Sequence, residues 1–440
     1  MLDIKMIAKT THIENTRNLL DILPTVDIGE PEDIFIAMEN ARCPKADLTI
    51  KEGDHVKMYQ VIGMRHGPFF DQPIHATVSG TFVGFEKHLH RSGKMVNFIH
   101  IKNDFKEEED ETVVHKRTPE EIANLKREDF MQIAKDCASV GLGGSSFPTY
   151  IKFDTKGRKI NTILINGVEC EPYITADKRM MVEHAEEVIE GIKLLQQAFE
   201  TKDARLCIKS KYKDIISIYE EFLRAMPDSG ITVSPVGNFY PQGWEIAMIK
   251  SATGIDVASG HLPSEYGIVD FNVSTVVGLL QNVKYNKPVI ERYVSVTGDG
   301  IKYPSNFSIR VGTPMKYILE KCGGYTHPEK KKVFILGGPM MGASIPSDDC
   351  ICTKTVTSII VLNHDESKED NCIRCGSCVL SCPVHLKPVQ IMNAVKAMDK
   401  DTIKMLEPLK CIECGLCTYS CTSKIQVTDY VRRAKLFAKL

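Results

Sequence analysis

The sequence predicts a multidomain chain of α/β and α+β class, and three observations carry that prediction. Residues 48 to 103 alternate short β-rich runs with turns, residues 118 to 290 alternate apolar strand runs with amphipathic helices, and eight of the 15 cysteines fall between residues 372 and 421. At 440 residues the length suits roughly three domains of about 150 residues each. Lys+Arg 55 against Asp+Glu 57 gives no basic surplus, so nucleic acid is not an expected partner. No apolar run approaches the roughly 18–20 residues of a bilayer span. The opening MLDIKMIAKTTHIENTRNLL alternates charge and apolar residues too closely for a signal-peptide core. The expectation is a cytoplasmic chain, soluble or peripheral to a membrane, whose cysteines are not a secreted disulfide framework.

The N-terminal part, residues 1–105, contains GDHVKMYQVIG followed by HATVSGTFVGF, with turns at Gly53-Asp54 and Ser79-Gly80. This pattern resembles the barrel-sandwich fold of lipoyl and biotinyl domains. Those carriers need a lysine at a hairpin tip, where this chain has Val78-Ser79-Gly80, so no covalent carrier is expected. Residues 106 to 116 are acidic and read as a solvated linker. Thr118-Pro119-Glu120-Glu121 then opens a helix, with Thr as N-cap, Pro at N1 and Glu at N3. Residues 118–290 form the α/β domain with a largely parallel sheet. Its best helix follows Asp177, with Val188, Ile189, Ile192, Leu195 and Phe199 on one face. Residues 291–362 return to strand and turn as a small β-grasp-like module, residues 363–425 hold the dense cysteines, and residues 426–440 form a short helix. In that helix Val431, Ala434 and Phe437 face inward and Arg432, Arg433 and Lys435 outward, a basic face read as solvated or as a contact for an acidic partner.

Two segments of the α/β domain carry candidate chemistry. Gly141, Gly143 and Gly144, in VGLGGSSFPT, let main-chain N–H groups approach a phosphate or a flat ring, and Lys152 supplies positive charge. The loop is not the G-x-G-x-x-G dinucleotide fingerprint, and a packing role alone is the alternative. The second segment, ILINGVECEPY, is a buried strand running into a loop with Asn166, Glu169, Glu171 and Tyr173, followed by Asp177. Ligands of α/β sheets lie beyond the carboxyl ends of strands, so a cofactor belongs here; an acidic loop capping the next helix is the other reading.

The cysteines are the most specific signal. Cys372, Cys375, Cys378 and Cys382, then Cys411, Cys414, Cys417 and Cys421, each read C-x2-C-x2-C-x3-C, with Pro383 after the first run. That is the spacing of bacterial [4Fe–4S] ferredoxins, in which the fourth cysteine of each run ligates the other cluster. Cys372, Cys375, Cys378 and Cys421 are therefore assigned to one cluster, and Cys411, Cys414, Cys417 and Cys382 to the other. A third cysteine after two more residues, repeated twice, is not a usual zinc pattern. Residues 388 to 405 between the runs have helical periodicity at Ile391, Val395 and Met398. The other seven cysteines read as small buried hydrophobes, with Cys170 set apart by its acidic neighbours.

Taken together, GLGGSSFPT with Lys152, NGVECEPYITAD, Tyr240-Pro241-Gln242-Gly243 with Glu245, PSEYGIVDFNVST, VSVTGDG, GGPMMG and both cysteine quartets resemble the RnfC family. This family comprises the RnfC component of the Rnf ferredoxin–NAD oxidoreductase complex, together with its soluble paralogues. The flavin domain is more distantly similar to the FMN- and NADH-binding subunit of respiratory complex I. The resemblance implies a barrel-sandwich domain, a Rossmann-like α/β FMN domain, a β-grasp (SLBB) module and a ferredoxin-like domain with two [4Fe–4S] clusters. It also implies hydride exchange between NAD(H) and noncovalent FMN, with single electrons passing through the clusters to or from a ferredoxin, a partner flavoprotein or another reductase subunit. Carried over by position, Gly141, Gly143, Gly144, Lys152, Asn166, Glu169 and Glu171 are FMN candidates, and Phe147 and Tyr173 stack on nicotinamide or adenine. No side chain is required as acid or base.

Three departures matter. Ser145 and Ser146 stand where the family loop GGAGFPT has Ala and Gly, and a side chain at Ser146 is expected to crowd the cofactor or alter nicotinamide access. The first 45 residues lack the family's GG-x-HP and QHIG segments, and a long repetitive C-terminal extension is absent. These points favour a soluble paralogue, with association on the inner face of the membrane as the other location. The alternatives in function are a cobalamin reductase of RnfC-like build and a cluster wire without NADH oxidation.

Overall fold

The computed structural model describes residues 20–40, 42–364 and 368–439; the opening segment 1–19, read above as lacking a signal peptide, lies outside them. After β1 (Thr25–Asp27), the strands β2 (Asp33–Ala37), β3 (Lys45–Leu48), β4 (His55–Val56), β5 (Val61–His66), β6 (Asp71–His75), β7 (Gly80–Leu89) and β8 (Met95–Asn103) build the barrel sandwich. Two antiparallel sheets, ordered β2-β8-β7-β4 and β3-β5-β6, close over Ile34, Ile62, Phe82 and Ile101. The alternation of apolar residues along these strands is what places one face of each sheet inside. Val78-Ser79-Gly80 is no exposed tip. Ser79 is buried and donates to Asp104 Oδ1 at 2.7 Å, and a Cβ at Gly80 would stand 2.1 Å from the Lys102 carbonyl.

The acidic segment after β8 is not a free linker. Met58 N donates to Glu108 O at 2.8 Å, Asp110 N to Met58 O at 2.9 Å, and Glu109 pairs with Lys287 at 2.5 Å. A strand-like backbone laid on the barrel sandwich ties that domain to the next one.

The capping box at Thr118 and Glu121 starts α1 (Pro119–Asn124), and α2 (Arg127–Asp136) follows. The sheet then comprises β9 (Thr162–Gly167), β10 (Ala204–Lys209), β11 (Ile231–Val236) and β12 (Ile268–Asn272), all parallel, in the order β11-β10-β9-β12. Two helices replace the single one expected after Asp177: α3 (Ala176–Glu183) and α4 (Ala185–Phe199), broken at His184. The apolar face of α4 is buried as its spacing requires. The remaining helices are α5 (Lys213–Arg224), α6 (Glu245–Thr253) and α7 (Val273–Tyr285). A stack of Phe153 on Phe199, centroids 5.3 Å apart, sits in the core beneath them. The chain moves outward from β9 to β11, then returns to the other side of β9 as β12. The order reverses between β9 and β12, and crevices at such reversals are where open α/β sheets bind ligands.

Strands β13 (Glu291–Thr297), β14 (Ser305–Arg310), β15 (Lys332–Leu336), β16 (Ala343–Ile345) and β17 (Ser358–Asn363), with α8 (Met315–Lys321), form the β-grasp module. Its sheet is ordered β1-β14-β13-β17-β15-β16, so the short N-terminal β1 completes a sheet formed some 280 residues later, with Thr25 opposite Asn306.

The cysteine-rich part contains α9 (Ser377–Leu380), α10 (Pro388–Lys396), α11 (Lys400–Met405), α12 (Leu416–Tyr419) and α13 (Val427–Lys439). Its second half repeats the first 39 positions later, helices included, and the equivalent Ser381 and Ser420 meet hydroxyl to hydroxyl at 2.9 Å. The C-terminal helix is thus the counterpart of α10 rather than an appendage. Its basic face is also engaged: Arg432 and Lys435 both pair with Glu413, at 3.1 and 2.5 Å. Ile391 and Val395 are buried as expected, but Met398 is exposed, in a left-handed turn (φ 55°) just past the end of α10.

Candidate functional site

A cavity of about 420 Å3 opens at the carboxyl ends of β9 and β12. Gly141, Gly143, Gly144, Phe147, Lys152, Asn166, Glu169 and Glu171 all line it; Tyr173, in a left-handed turn (φ 66°), does not. The glycine loop closes on itself through Gly141 N donating to Phe147 O at 2.8 Å. It is held from both sides, since Leu142 N donates to Thr275 Oγ1 at 2.8 Å and buried Arg292 donates to the Leu142 carbonyl at 2.6 Å. The loop's glycines are used differently. A Cβ at Gly143 would stand 2.9 Å from Asn272 Nδ2, whereas Gly144 has φ +103° and its Cβ position faces open space. Ser146 occupies φ 53°, a region that favours glycine, and it lines a neighbouring cavity rather than this one, so its side chain does not crowd this cavity.

Lys152 is committed to the end of β12: its Nζ donates to the Asp270 carbonyl at 2.6 Å and to Asp270 Oδ1 at 3.0 Å. Glu245, at the start of α6, completes this cluster. Burial first, and then the Asp270 carboxylate beside it, raise its pKa to about 7, with Lys152 opposing. Asn166 donates through Nδ2 to Gly243 O at 3.0 Å, which fixes the segment after the Tyr240-Pro241 turn against β9. The two loop carboxylates have structural partners. Glu169 accepts from Asp177 N at 2.8 Å at the start of α3, where the helix N–H groups favour negative charge. Glu171 accepts from Met340 N at 3.0 Å and Met341 N at 2.8 Å, joining the flavin-type domain to the β-grasp loop. Glu245, Asp270 and Asn272 lie in the cavity wall but were not singled out as site residues. The strand-end rule that found Asn166 applies equally to Asn272 at the end of β12.

The residues present fit FMN. The volume falls in the roughly 300–1,000 Å3 range of small-molecule sites, and a glycine backbone, a planar aromatic wall and a mixed acid–base cluster converge on it.

The cysteines fall into two sets. Cys372, Cys375 and Cys378 share one cavity of about 230 Å3 with Cys421, walled by Val389, Met392, Ile425 and Val427. Cys411, Cys414 and Cys417 lie within electrostatic reach of Cys382. The fourth cysteine of each run thus joins the other run's triplet. Main-chain N–H groups already point at sulfur, Leu386 N to Cys382 and Glu413 N to Cys411, both at 3.3 Å. Four sulfurs around a cavity lined by apolar side chains suit a cubane cluster. The second set is buried against the flavin-type domain. Tyr240 OH donates to the Cys414 carbonyl at 2.7 Å, and Tyr240, Cys414 and Leu416 pack with Cys170 and Met340. Cys170, the cysteine set apart by its acidic neighbours, therefore lies between the two sites; the six others are all buried, and burial pushes the thiols of five of them up to about 12.

Comparison with known proteins agrees with this layout. The sequence matches the RnfC barrel sandwich hybrid domain over residues 6–106, the Nuo51 FMN-binding domain over 134–281, the SLBB domain over 293–344 and a 4Fe–4S dicluster domain over 364–431. FMN and two [4Fe–4S] clusters are accordingly the cofactors of this chain. The first match begins inside the opening segment that lacks the family's own motifs. The RnfC-type component of the Na(+)-translocating ferredoxin:NAD(+) oxidoreductase complex of Acetobacterium woodii is 34% identical over 82% of this chain and 81% of its own. Its counterparts in the ion-translocating oxidoreductase complexes of Actinobacillus succinogenes and Yersinia pestis are 33% and 34% identical, and the chain spans 57% and 58% of their lengths. A crystal structure of NAD+-reducing [NiFe]-hydrogenase in the H2-reduced state shares the fold over 72% of this chain and 61% of that one, at TM-score 0.51 and 15% identity. The chain belongs to the RnfC family of oxidoreductase subunits.

Proposed function

We propose that this chain exchanges hydride between NAD(H) and noncovalent FMN and passes single electrons through two [4Fe–4S] clusters to or from a partner protein. The observation that carries this reading is the direct abutment of the two sites, through Tyr240 on the Cys414 loop, with the other quartet open to solvent. FMN, when bound, supplies the conversion between two-electron and one-electron transfer. The residues assigned to hold it are Gly141, Gly143, Gly144, Lys152, Asn166, Glu169 and Glu171, with Phe147 as the aromatic wall. Glu245 lines the same cavity beside Asp270 and Lys152, with its carboxyl pKa raised to about 7 by burial. The crossed quartets are assigned as cluster ligands, Cys411, Cys414, Cys417 and Cys382 on the inner side and Cys372, Cys375, Cys378 and Cys421 on the outer.

Ile373 and Leu380, 69% and 67% exposed beside the outer quartet, mark the face for a ferredoxin, a flavoprotein or another reductase subunit. Among the described residues no helix is long and apolar enough to cross a membrane. Peripheral attachment at the cytoplasmic face is the location this reading assigns, in keeping with the ion-translocating complexes for which the relatives are named. The test is an anaerobic titration of the purified holoprotein with NADH. Bleaching of both flavin and cluster absorbance supports the reading. Bound FMN that NADH leaves oxidised, with clusters that dithionite still reduces, would show a wire without nicotinamide chemistry.

A further inference from the structure

A larger cavity, about 550 Å3, lies beside the flavin cavity, where the barrel sandwich, the glycine loop and the segment before β17 meet. The two cavities share Arg91, Gly144, Ser145 and Thr355 in their walls. Arg65, Arg91 and Lys354 line the larger one, and among the described residues none of them has a carboxylate as counter-charge. Arg65 faces the Cys43 thiol, Lys354 and His75, Arg91 faces the Cys350 thiol and His90, and Lys354 faces Arg65, Arg292, His75 and the Cys137 thiol. Arg65 spends protons on the carbonyls of Ala37 and Met38, and Arg91 on that of Thr355, which leaves their charge uncompensated. Burial together with Arg65 lowers the Lys354 ammonium to about 8. His75, only 5% exposed, lines the same space; its ring is tied to the Asp136 backbone, and among the described residues its Nδ1 has no hydrogen-bond partner. At the rim, exposed Arg42 stands 5.4 Å over the ring of Phe147, and the cavity's one carboxylate, Glu39, is exposed. Burying several cations without counter-charge is costly, and a bound anion recovers that cost. Phe35 and Phe70 add flat apolar wall, so the space suits an anion attached to a planar body.

We propose that this cavity takes the phosphate-bearing adenylate half of the dinucleotide, its diphosphate against Arg65, Arg91 and Lys354 and a ribose hydroxyl within reach of His75. The shared wall at Gly144 and Ser145 sets the nicotinamide half toward the flavin cavity, so this assignment rests on the NAD(H) reading above. It makes the barrel sandwich a part of the substrate site, and it gives Ser146 a place in that second cavity.

The experiment uses ADP-ribose, which carries the diphosphate and adenosine but no nicotinamide and cannot be oxidised or reduced here. Its binding to the anaerobic holoprotein is measured by calorimetry for wild type, Lys354→Met and Arg42→Gln, with FMN and iron content confirming that each variant is folded. The expected result is binding to wild type, weakened about 10-fold in Lys354→Met, which removes a charge set against the diphosphate, and several-fold in Arg42→Gln, which removes a charge at the cavity rim. Equal affinity in all three proteins, no binding to wild type, or inorganic phosphate binding as tightly as ADP-ribose would each overturn the assignment. The two readings separate cleanly. If NADH bleaches the flavin but ADP-ribose affinity ignores Lys354, only the cavity assignment falls. If ADP-ribose binding depends on Lys354 but NADH leaves the flavin oxidised, the cavity assignment stands and the hydride reading falls.

Discussion

The two cysteine quartets share one backbone and differ in what surrounds them. Arg374 and Glu413 both have φ 57°, Gly376 and Gly415 have φ 81° and 77°, and His385 and Lys424 both have φ 56°. These left-handed turns recur at the same places because each loop must fold its N–H groups back toward sulfur. Yet Cys372 and Cys375 are exposed, whereas Cys414 and Cys417 are buried. A Cβ at Gly376 would touch nothing within 4 Å, and one at Gly415 would stand 2.6 Å from the Met340 carbonyl. Glu413 is clamped by Arg432 and Lys435, while its counterpart Arg374 is exposed. The duplicated fold supplies two equivalent cysteine sets; the side chains around them decide which one packs on Tyr240 and Met340 and which one is exposed.

Substitutions at equivalent positions break or sharpen this contrast. The largest effect is expected from Cys414→Ala. Iron should fall from about eight to about four per chain, and NADH should bleach the flavin while cluster bleaching slows by about 100-fold or more. Unchanged cluster kinetics would place the electron entry elsewhere. Next come the paired glycines. Gly415→Ala should cost about 3 kcal/mol or more, a left-handed alanine plus a clash with Met340, and Gly376→Ala only about 1–2 kcal/mol for the turn itself. Denaturant midpoints of the two holoproteins measure the difference, and equal losses would remove the asymmetry. Tyr240→Phe leaves the Cys414 carbonyl without its donor, an expected loss of about 1–3 kcal/mol by the same assay.

The smallest effect concerns Glu245. Its folded pKa of about 7 lies above the ordinary 4.5, so the native state holds a proton that the unfolded chain has lost. Stability is therefore fully present below pH 4.5 and declines as pH rises through about 7. Glu245→Gln should raise the unfolding midpoint at pH 8 by roughly 2–4 °C and leave it nearly unchanged at pH 5. A constant difference across that range would contradict the burial of this carboxyl.

The local chemistry of this molecule was legible and its long-range contacts were not. The crossed cysteine sets are read from spacing, α1 from its capping box, the glycine loop from its glycine spacing and Asn166 from its place at a strand end. Three-residue β1 has no periodicity to announce that it completes a sheet beyond β14. The acidic segment after β8 reads as solvated because nothing in it specifies the Met58 backbone as its partner. Glu171 lines the cavity as its position suggests, but its carboxylate also grips N–H groups about 170 residues away, a contact that no local pattern announces. The cationic cavity draws Arg65 and Arg91 from the barrel sandwich and Lys354 from the β-grasp module, so no window of sequence contains it.

The proposed order of electron flow, flavin site to inner quartet to outer quartet, is tested most directly by rapid mixing of anaerobic Cys375→Ala protein with NADH. With the outer cluster lost, flavin and the remaining cluster should both bleach at wild-type rates. Bleaching of the flavin alone, with the inner cluster left oxidised, would contradict the account.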